Sequence, residues 1–286
     1  MIRRRRTATA CIDFSRDQLS VVEVADATVT AWDTVALPDH LIRNGDPTDP
    51  AVLAQFLART LAAAGIGARR ARMTLPDDAA VSRHITLPPM SSRDLARAIR
   101  FEAERHLPIR IDRACWSWDV IERSSAGIQV YLVAAWRDVV QHYAEVARIA
   151  GLEPEVLEPR SVAVARAVNQ DRALLVDSSA RRLHLTLLVG GQPVFTDDQD
   201  SGVDVADRQE ALDRLLQRAF RYQTTAGNTR MAPVLLAGGL ETAALSLPVA
   251  GGAVSTVLNG HLPTAPARFH PASYLANLGL ATRSAR

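Results

Sequence analysis

Two aspartates occupy the same place in two copies of one short pattern. Asp13 lies in Ile12–Val24, and Asp177 lies in Val176–Leu188, 164 positions further on. In each copy an apolar run ends in Asp, a polar turn follows, and a second apolar run starts six residues after the Asp. An Asp where a strand gives way to a turn can hold a metal ion's water shell or accompany a bound phosphate. Without a ligand, the same residue caps its turn. Ser15 and Arg16 extend the first candidate site, and Ser179 extends the second, with Arg181 and Arg182 nearby. Gly238 and Gly239 follow the apolar run Val234–Ala237. Paired glycines at a strand end let a backbone approach a ligand closely, or simply make a turn.

Elements that position these residues follow from periodicity. Apolar runs of four to eight residues bounded by polar turns predict strands, so each copy reads as strand–turn–strand. A third strand follows in each, at Val29–Ala36 and Pro193–Thr196. Asp49, Pro50 and Gly65 bracket a helix, as N-cap, first helical residue and stop. Ala71–Pro76 and Arg83–Leu87 predict strands around an Asp77-Asp78 turn. Ser91 with Asp94 predicts a capping box for a helix that Pro108 ends. Trp116–Glu122 and Gln129–Ala135 predict two more strands, and Arg137–Ala150 a helix. Glu158–Val168, Val203–Tyr222, Leu240–Leu247 and Ala272–Ala281 predict further helices, with loop between Pro248 and Pro271. The repeat makes an internal duplication the preferred reading. It predicts a first unit at 7–70 and 151–172, an inserted α+β subdomain with a four-strand sheet at 71–150, and a second unit at 173–286. Two such units facing each other across a cleft describe an actin-like, sugar-kinase-like architecture.

Composition excludes several classes of function. The chain has 286 residues, 48% of them apolar, enough for two modest cores. Its formal charge of +2 does not suit a dedicated nucleic-acid binder. All 33 basic residues are arginine, which removes Schiff-base lysine and P-loop lysine chemistry. Cys11 and Cys115 stand in no metal-ligand spacing, and Cys11 reads as a small buried residue of a strand. A reduced, cytoplasmic setting fits. No apolar stretch approaches the roughly 20 residues that span a bilayer. Arg3–Arg6 read as a solvated start, with contact to anionic lipid as the sharper alternative.

The order of several motifs resembles the PilM family of type IV pilus assembly. The family's Gly-Ile-Asp-Ile-Gly-Ser-Ser-Ser-Val-Lys type phosphate loop is matched by Cys11–Ser20. Its inserted subdomain is matched by Leu87-Pro88-Pro89-Met90, Asp94-Leu95, Glu102-Ala103-Glu104 and Leu107-Pro108. Ala134-Ala135, Ala150-Gly151-Leu152-Glu153-Pro154, Leu175-Val176-Asp177 with Ala180, Ala237-Gly238-Gly239 and Asn277-Leu278-Gly279-Leu280-Ala281 complete the series. The departures are as specific. Cys11, Ser15, Arg16, Asp17 and Gln18 replace glycines and serines of the loop, and Ser20 replaces its lysine. Phosphate loops present unhindered backbone N–H groups, which these side chains obstruct. Asp17 would repel phosphate, although Arg16 could attract it. The segment that covers the nucleotide in full members is almost absent after Thr196.

The resemblance implies an α/β, actin-like and ribonuclease H-like fold with an inserted α+β subdomain and a second-half lid largely missing. It implies a cytoplasmic adaptor at the inner-membrane face that binds the N-terminal tail of a bitopic PilN-like protein. Leu87, Pro89, Met90, Glu102 and Glu104 are the candidate groove residues, against subdomain core and helix surface as their plain reading. Asp13, Ser15, Arg16, Asp177, Ser179, Gly238 and Gly239 would line a vestigial nucleotide cleft with weak ATP/Mg binding or none. The alternative is an actin-like ATPase or sugar-kinase-like phosphotransfer enzyme, against which the degraded loops argue. The cytoplasmic half of a type II secretion platform protein shares the fold, but the chain shows neither the membrane span nor the periplasmic domain expected of one. Direct nucleic-acid binding ranks last.

Overall fold

A computed structural model describes residues 8–179, 181–202, 204–225, 232–237, 251–253 and 262–283. Strands β1 (Ala8–Phe14), β2 (Gln18–Ala25) and β3 (Thr28–Ala36) form the first meander. A two-strand hairpin, β4 (Ile42–Arg43) and β5 (Asp46–Pro47), leads to helix α1 (Pro50–Ala63). Asp49 caps α1 by accepting from the Ala51 and Val52 amides. Strand β6 (Arg70–Leu75) and a short 3-10 turn, Asp77–Ala79, precede β7 (Ala80–Leu87) and α2 (Ser92–His106). The Ser91 hydroxyl accepts from the Asp94 amide and donates to its carboxylate, so the predicted capping box is present. Then come β8 (Ala114–Ser124), β9 (Gly127–Trp136), α3 (Arg137–Ile149), β10 (Glu153–Pro159) and α4 (Arg160–Val168). The second half holds β11 (Arg172–Ser178), β12 (Arg182–Val189), β13 (Gln192–Asp200), α5 (Val205–Thr225), β14 (Val234–Ala237), β15 (Gly251–Ala253) and α6 (Leu275–Ala281).

Pairing of the strands repeats from one half to the other. The first sheet has the order β10-β6-β1-β2-β3, the second β15-β14-β11-β12-β13. In both, the three-strand meander is antiparallel and the two remaining strands are parallel to the first. Even register is kept: Asp13 lies opposite Ser20, and Asp177 opposite His184.

Both sheets are covered on two faces, so their side chains alternate between two cores. Ile12 and Phe14 point to a core shared with α1 and α3, including Leu53, Leu57, Tyr143 and Val146. Leu174 and Val176 point to a core shared with α5. Cys11, Ala173 and Leu175 point the other way, into a middle layer built from α4 and α6. The Cys11 thiol is fully enclosed there, and burial pushes its pKa up to about 12, so it is a packing residue. The third sheet, β7-β9-β8, packs α2 against one face through Leu95, Ile99 and Ala103.

Several sequence expectations need correction. The strand expected at Ala71–Pro76 is β6, and it lies inside the first sheet between β1 and β10, so the inserted sheet has three strands. The helix α3, placed in the insert, packs on α1 in the first-half core. The helix expected from Glu158 begins at Arg160, because 153–159 form the edge strand β10. Helix α6, counted with the second unit, inserts into the middle layer, where the Asn277 side-chain amide donates to the carbonyls of Cys11 and Ser20 at 2.9 and 3.0 Å. Strand β15 also falls within the stretch expected to be loop. Arg3–Arg6, Ala180, Gly238, Gly239 and Leu240–Leu247 lie outside the described residues. Among the described residues no helix is long and apolar enough to cross a membrane.

Candidate functional site

Side-chain parity brings the two repeated aspartates together. Asp13 lies on the same strand face as Cys11, and Asp177 on the same face as Leu175, so both project into the middle layer. Helix α4 starts there. Its first residue, Arg160, follows Pro159 and is 9% exposed. Arg160 Nε donates to Asp13 Oδ2 at 3.2 Å, and its terminal nitrogens donate to Asp177 Oδ1 and Oδ2 at 3.4 and 2.5 Å. Asp13 also accepts from the Thr74 hydroxyl at 2.7 Å. One guanidinium thus bridges the matching carboxylates of both halves.

Charge balance in this centre is tight. Burial works against the Arg160 charge, but Asp177 and Asp13 outweigh it and hold its pKa above the ordinary value. Burial likewise pushes the Asp177 carboxyl up, and Arg160 more than offsets this, leaving it below the usual carboxylate range. Asp77 accepts from the Ser161 amide at 3.0 Å and its hydroxyl at 2.6 Å, capping α4. Enclosure pushes the Asp77 carboxyl up to about 6, against the lowering effect of those bonds. The imidazole of His184 has its pKa lowered by burial and by Arg160, so it stays neutral at pH 7.

A second contact joins the two hairpin turns. Asp17 is 2% exposed. Its carboxylate accepts from the Ser179 hydroxyl with both oxygens at 2.8 Å, from the Arg181 amide at 2.8 Å, and from Ser15 Oγ at 3.3 Å. Arg16 pairs with Asp78 at 2.7 Å, and Arg181 with Asp39 at 2.5 Å. Between these groups a cavity of about 230 Å³ remains, lined by Ser15, Arg16, Asp77, Arg160, His184 and Asp198 among others. That volume is below the ~300–1,000 Å³ of small-molecule sites. Among the described residues no cluster of three His, Cys, Asp or Glu side chains could hold a metal ion.

Asp13, Ser15, Arg16, Asp177 and Ser179 therefore do meet in one place. Two residues that the candidate set lacked make the joins, Arg160 between Asp13 and Asp177 and Asp17 between Ser15 and Ser179, while Arg16 is held by Asp78. A signal for Arg160 exists: an Arg in the first turn of a helix opposes the positive end of its dipole, so something else must hold it there.

The expected groove residues do not gather. Leu87 is buried in the insert core with Met90 packed on it, and Pro89 is exposed. Glu102 faces His106, and Glu104 faces Arg100, along the surface of α2. The larger opening is elsewhere, about 640 Å³ where the insert sheet meets β10, α4 and the β12–β13 turn. Tyr131, Val133, Leu157, Pro159, Val162 and Ala165 supply its apolar wall, and Asp119 and Asp171 stand among its acidic lining residues. Among its lining residues Glu158 is held by Arg166 at 2.6 and 2.8 Å and by Arg283.

The sequence model of a family described as type IV pilus assembly protein PilM matches residues 11–208. No curated protein matches the chain. A solved PilM–PilN type IV pilus biogenesis complex superposes with a TM-score of 0.72 at 21% identity, over 96% of this chain and 97% of that one. The cytoplasmic domain of EpsL, an inner-membrane component of the Vibrio cholerae type II secretion system, gives 0.55 at 12% identity, over 96% and 94%. The ethanolamine utilization protein EutJ from Carboxydothermus hydrogenoformans gives 0.50 at 14% identity, over 96% and 89%. The fold is the expected actin-like one, two matching halves with an inserted α+β subdomain.

Proposed function

We propose that this chain, which belongs to the type IV pilus assembly protein PilM family, acts in that assembly as a binding adaptor and does not turn over nucleotide. Its partner in this reading is the N-terminal tail of a PilN-like membrane protein, which would also bring it to the inner-membrane face. The structural similarity to the PilM of a PilM–PilN complex supports the choice of partner. The observation that carries the reading is the contrast between two cavities. The cleft between the repeated aspartates is bridged by the chain's own ion pairs, whereas the 640 Å³ junction stays open and offers apolar and polar side chains side by side. A preformed groove that sets an apolar wall opposite charged and amide side chains such as Asp119, Arg166, Gln170 and Asp171 suits capture of an extended segment with both apolar and polar residues. The ATPase or phosphotransfer alternative needs room for a Mg-nucleotide where Arg160 and Asp17 now lie, and it is not favoured.

A synthetic tail peptide titrated by fluorescence anisotropy tests the reading. Val162→Glu should weaken binding at least tenfold while leaving the melting temperature within a few degrees. Unchanged affinity in a folded Val162→Glu protein would remove the junction as the tail site. Calorimetry with Mg-ATP should show dissociation no tighter than about millimolar, near −4 kcal/mol. Micromolar binding would revive the enzyme alternative.

A further inference from the structure

Asp17 sits where an anionic ligand would sit. It lies on the first hairpin turn, yet its carboxylate is bound by the second, through Ser179 Oγ and the Arg181 backbone N–H, each at 2.8 Å. The repeat offset of 164 positions makes Arg181 the counterpart of Asp17 itself, so one turn's side chain fills the other's polar concavity. A hydroxyl and a backbone N–H converging on one point are what turns offer to phosphoryl oxygens. The neighbouring cavity of about 230 Å³ is lined by Ser15, by Arg16 and Arg160, and by Asp77, Asp78, Asp197 and Asp198, with each arginine already paired to carboxylates.

We propose that Asp17 is a tethered anion, and that the concavity beneath it is a phosphate seat which the chain keeps shut against free phosphate and phosphate esters. A group held in place by the fold competes at an effective concentration at or above the millimolar range, which free phosphate at similar concentration does not displace. Arg160 completes the arrangement from the other side, as the fixed cation between Asp13 and Asp177. The centre thus supplies its own ions, one guanidinium against the carboxylates of Asp13 and Asp177 with Asp17 alongside, so its state is set by the chain and not by nucleotide supply. The inference stands apart from tail binding, since the junction cavity shares none of the seat's residues.

The test uses inorganic phosphate as the probe, by calorimetry and by phosphorus NMR line width. Asp17→Ser empties the seat and should bind phosphate at least tenfold tighter than wild type. Adding Ser179→Ala should abolish that gain. Asp17→Asn keeps the size of the side chain and removes only its charge, and should gain at least threefold. Far-UV circular dichroism and the melting temperature confirm that the variants are folded. If a folded Asp17→Ser or Asp17→Asn protein binds phosphate no tighter than wild type, the proposal is wrong. It is equally wrong if wild type already binds as tightly as Asp17→Ser, or if the gain survives Ser179→Ala.

Discussion

Replacing Arg160 by Met should cost the protein more than any surface ion pair would. Met fills much of the same space but leaves Asp177 without its guanidinium and Asp13 with only Thr74 and weaker contacts. Removing one partner of a buried ion pair costs about 3–5 kcal/mol, because the remaining charge is uncompensated. Unfolding entropy of about 2.1 cal/mol/K per residue over 286 residues converts this to about 5–8 °C of melting temperature. Calorimetric melting at pH 7 measures it directly. Without Arg160, burial is the largest influence on Asp177, opposed only by His184 and its own backbone, and it lifts the carboxyl pKa, so the loss should shrink as the pH is lowered and that carboxyl takes up a proton. Converting both aspartates to Asn in the Met background removes the stranded charges and should recover at least half of the loss. An Arg160→Met protein melting within 2 °C of wild type would refute the view that this bridge holds the halves together. So would a triple variant no better than the single one.

Three further outcomes are expected. Asp77 has a folded pKa raised from 3.8 to about 6, so its contribution to stability is full below the unfolded value and is lost as pH rises through 6. Wild type should therefore lose up to about 3 kcal/mol relative to Asp77→Asn between pH 4 and 7.5 in urea titrations; a pH-independent difference would contradict it. Gly279→Ala places a Cβ 1.8 Å from the Ala163 carbonyl oxygen, a backbone atom that cannot swing aside. It should cost about 3 kcal/mol or more by forcing α4 and α6 apart, and an unchanged melting curve would show the contact to be looser. Asn277→Ala removes the two bonds from its amide to the Cys11 and Ser20 carbonyls and should cost about 1–3 kcal/mol in denaturant unfolding; a loss under about 0.5 kcal/mol would mean the amide adds nothing net to the sheet.

Local patterns in the sequence reached as far as local forces do. The repeat around Asp13 and Asp177 was readable because both copies keep the period of two and the same turn length. The helix starts at Asp49-Pro50 and Ser91 were readable because capping is satisfied within four residues. Strand β6 is legible as a strand but its sheet is not, since a mostly buried run of six residues carries no record of its neighbours. Strand β10 is not legible, because Pro154, Glu155, Glu158 and Pro159 look unlike a strand and only an edge position tolerates them. The site residues Asp13, Ser15 and Ser179 came from the repeat itself. Arg160 did not, because its bond to Asp13 spans 147 positions and no local pattern requires it.

Helix α6 fixes when the first half can finish folding. Its Asn277 reaches the Cys11 carbonyl, 266 positions earlier in the chain. A ribosome adding about 5–20 residues per second needs about 13–53 s to cover that distance. For all but the first few seconds of that time β1 and β2 are complete, yet Cys11, Val22 and Val24 have no α6 to cover them. The nascent first half therefore presents an apolar sheet face for most of its synthesis, and that face is where a chaperone would be needed. Cores closed by sequence-near segments have no such interval.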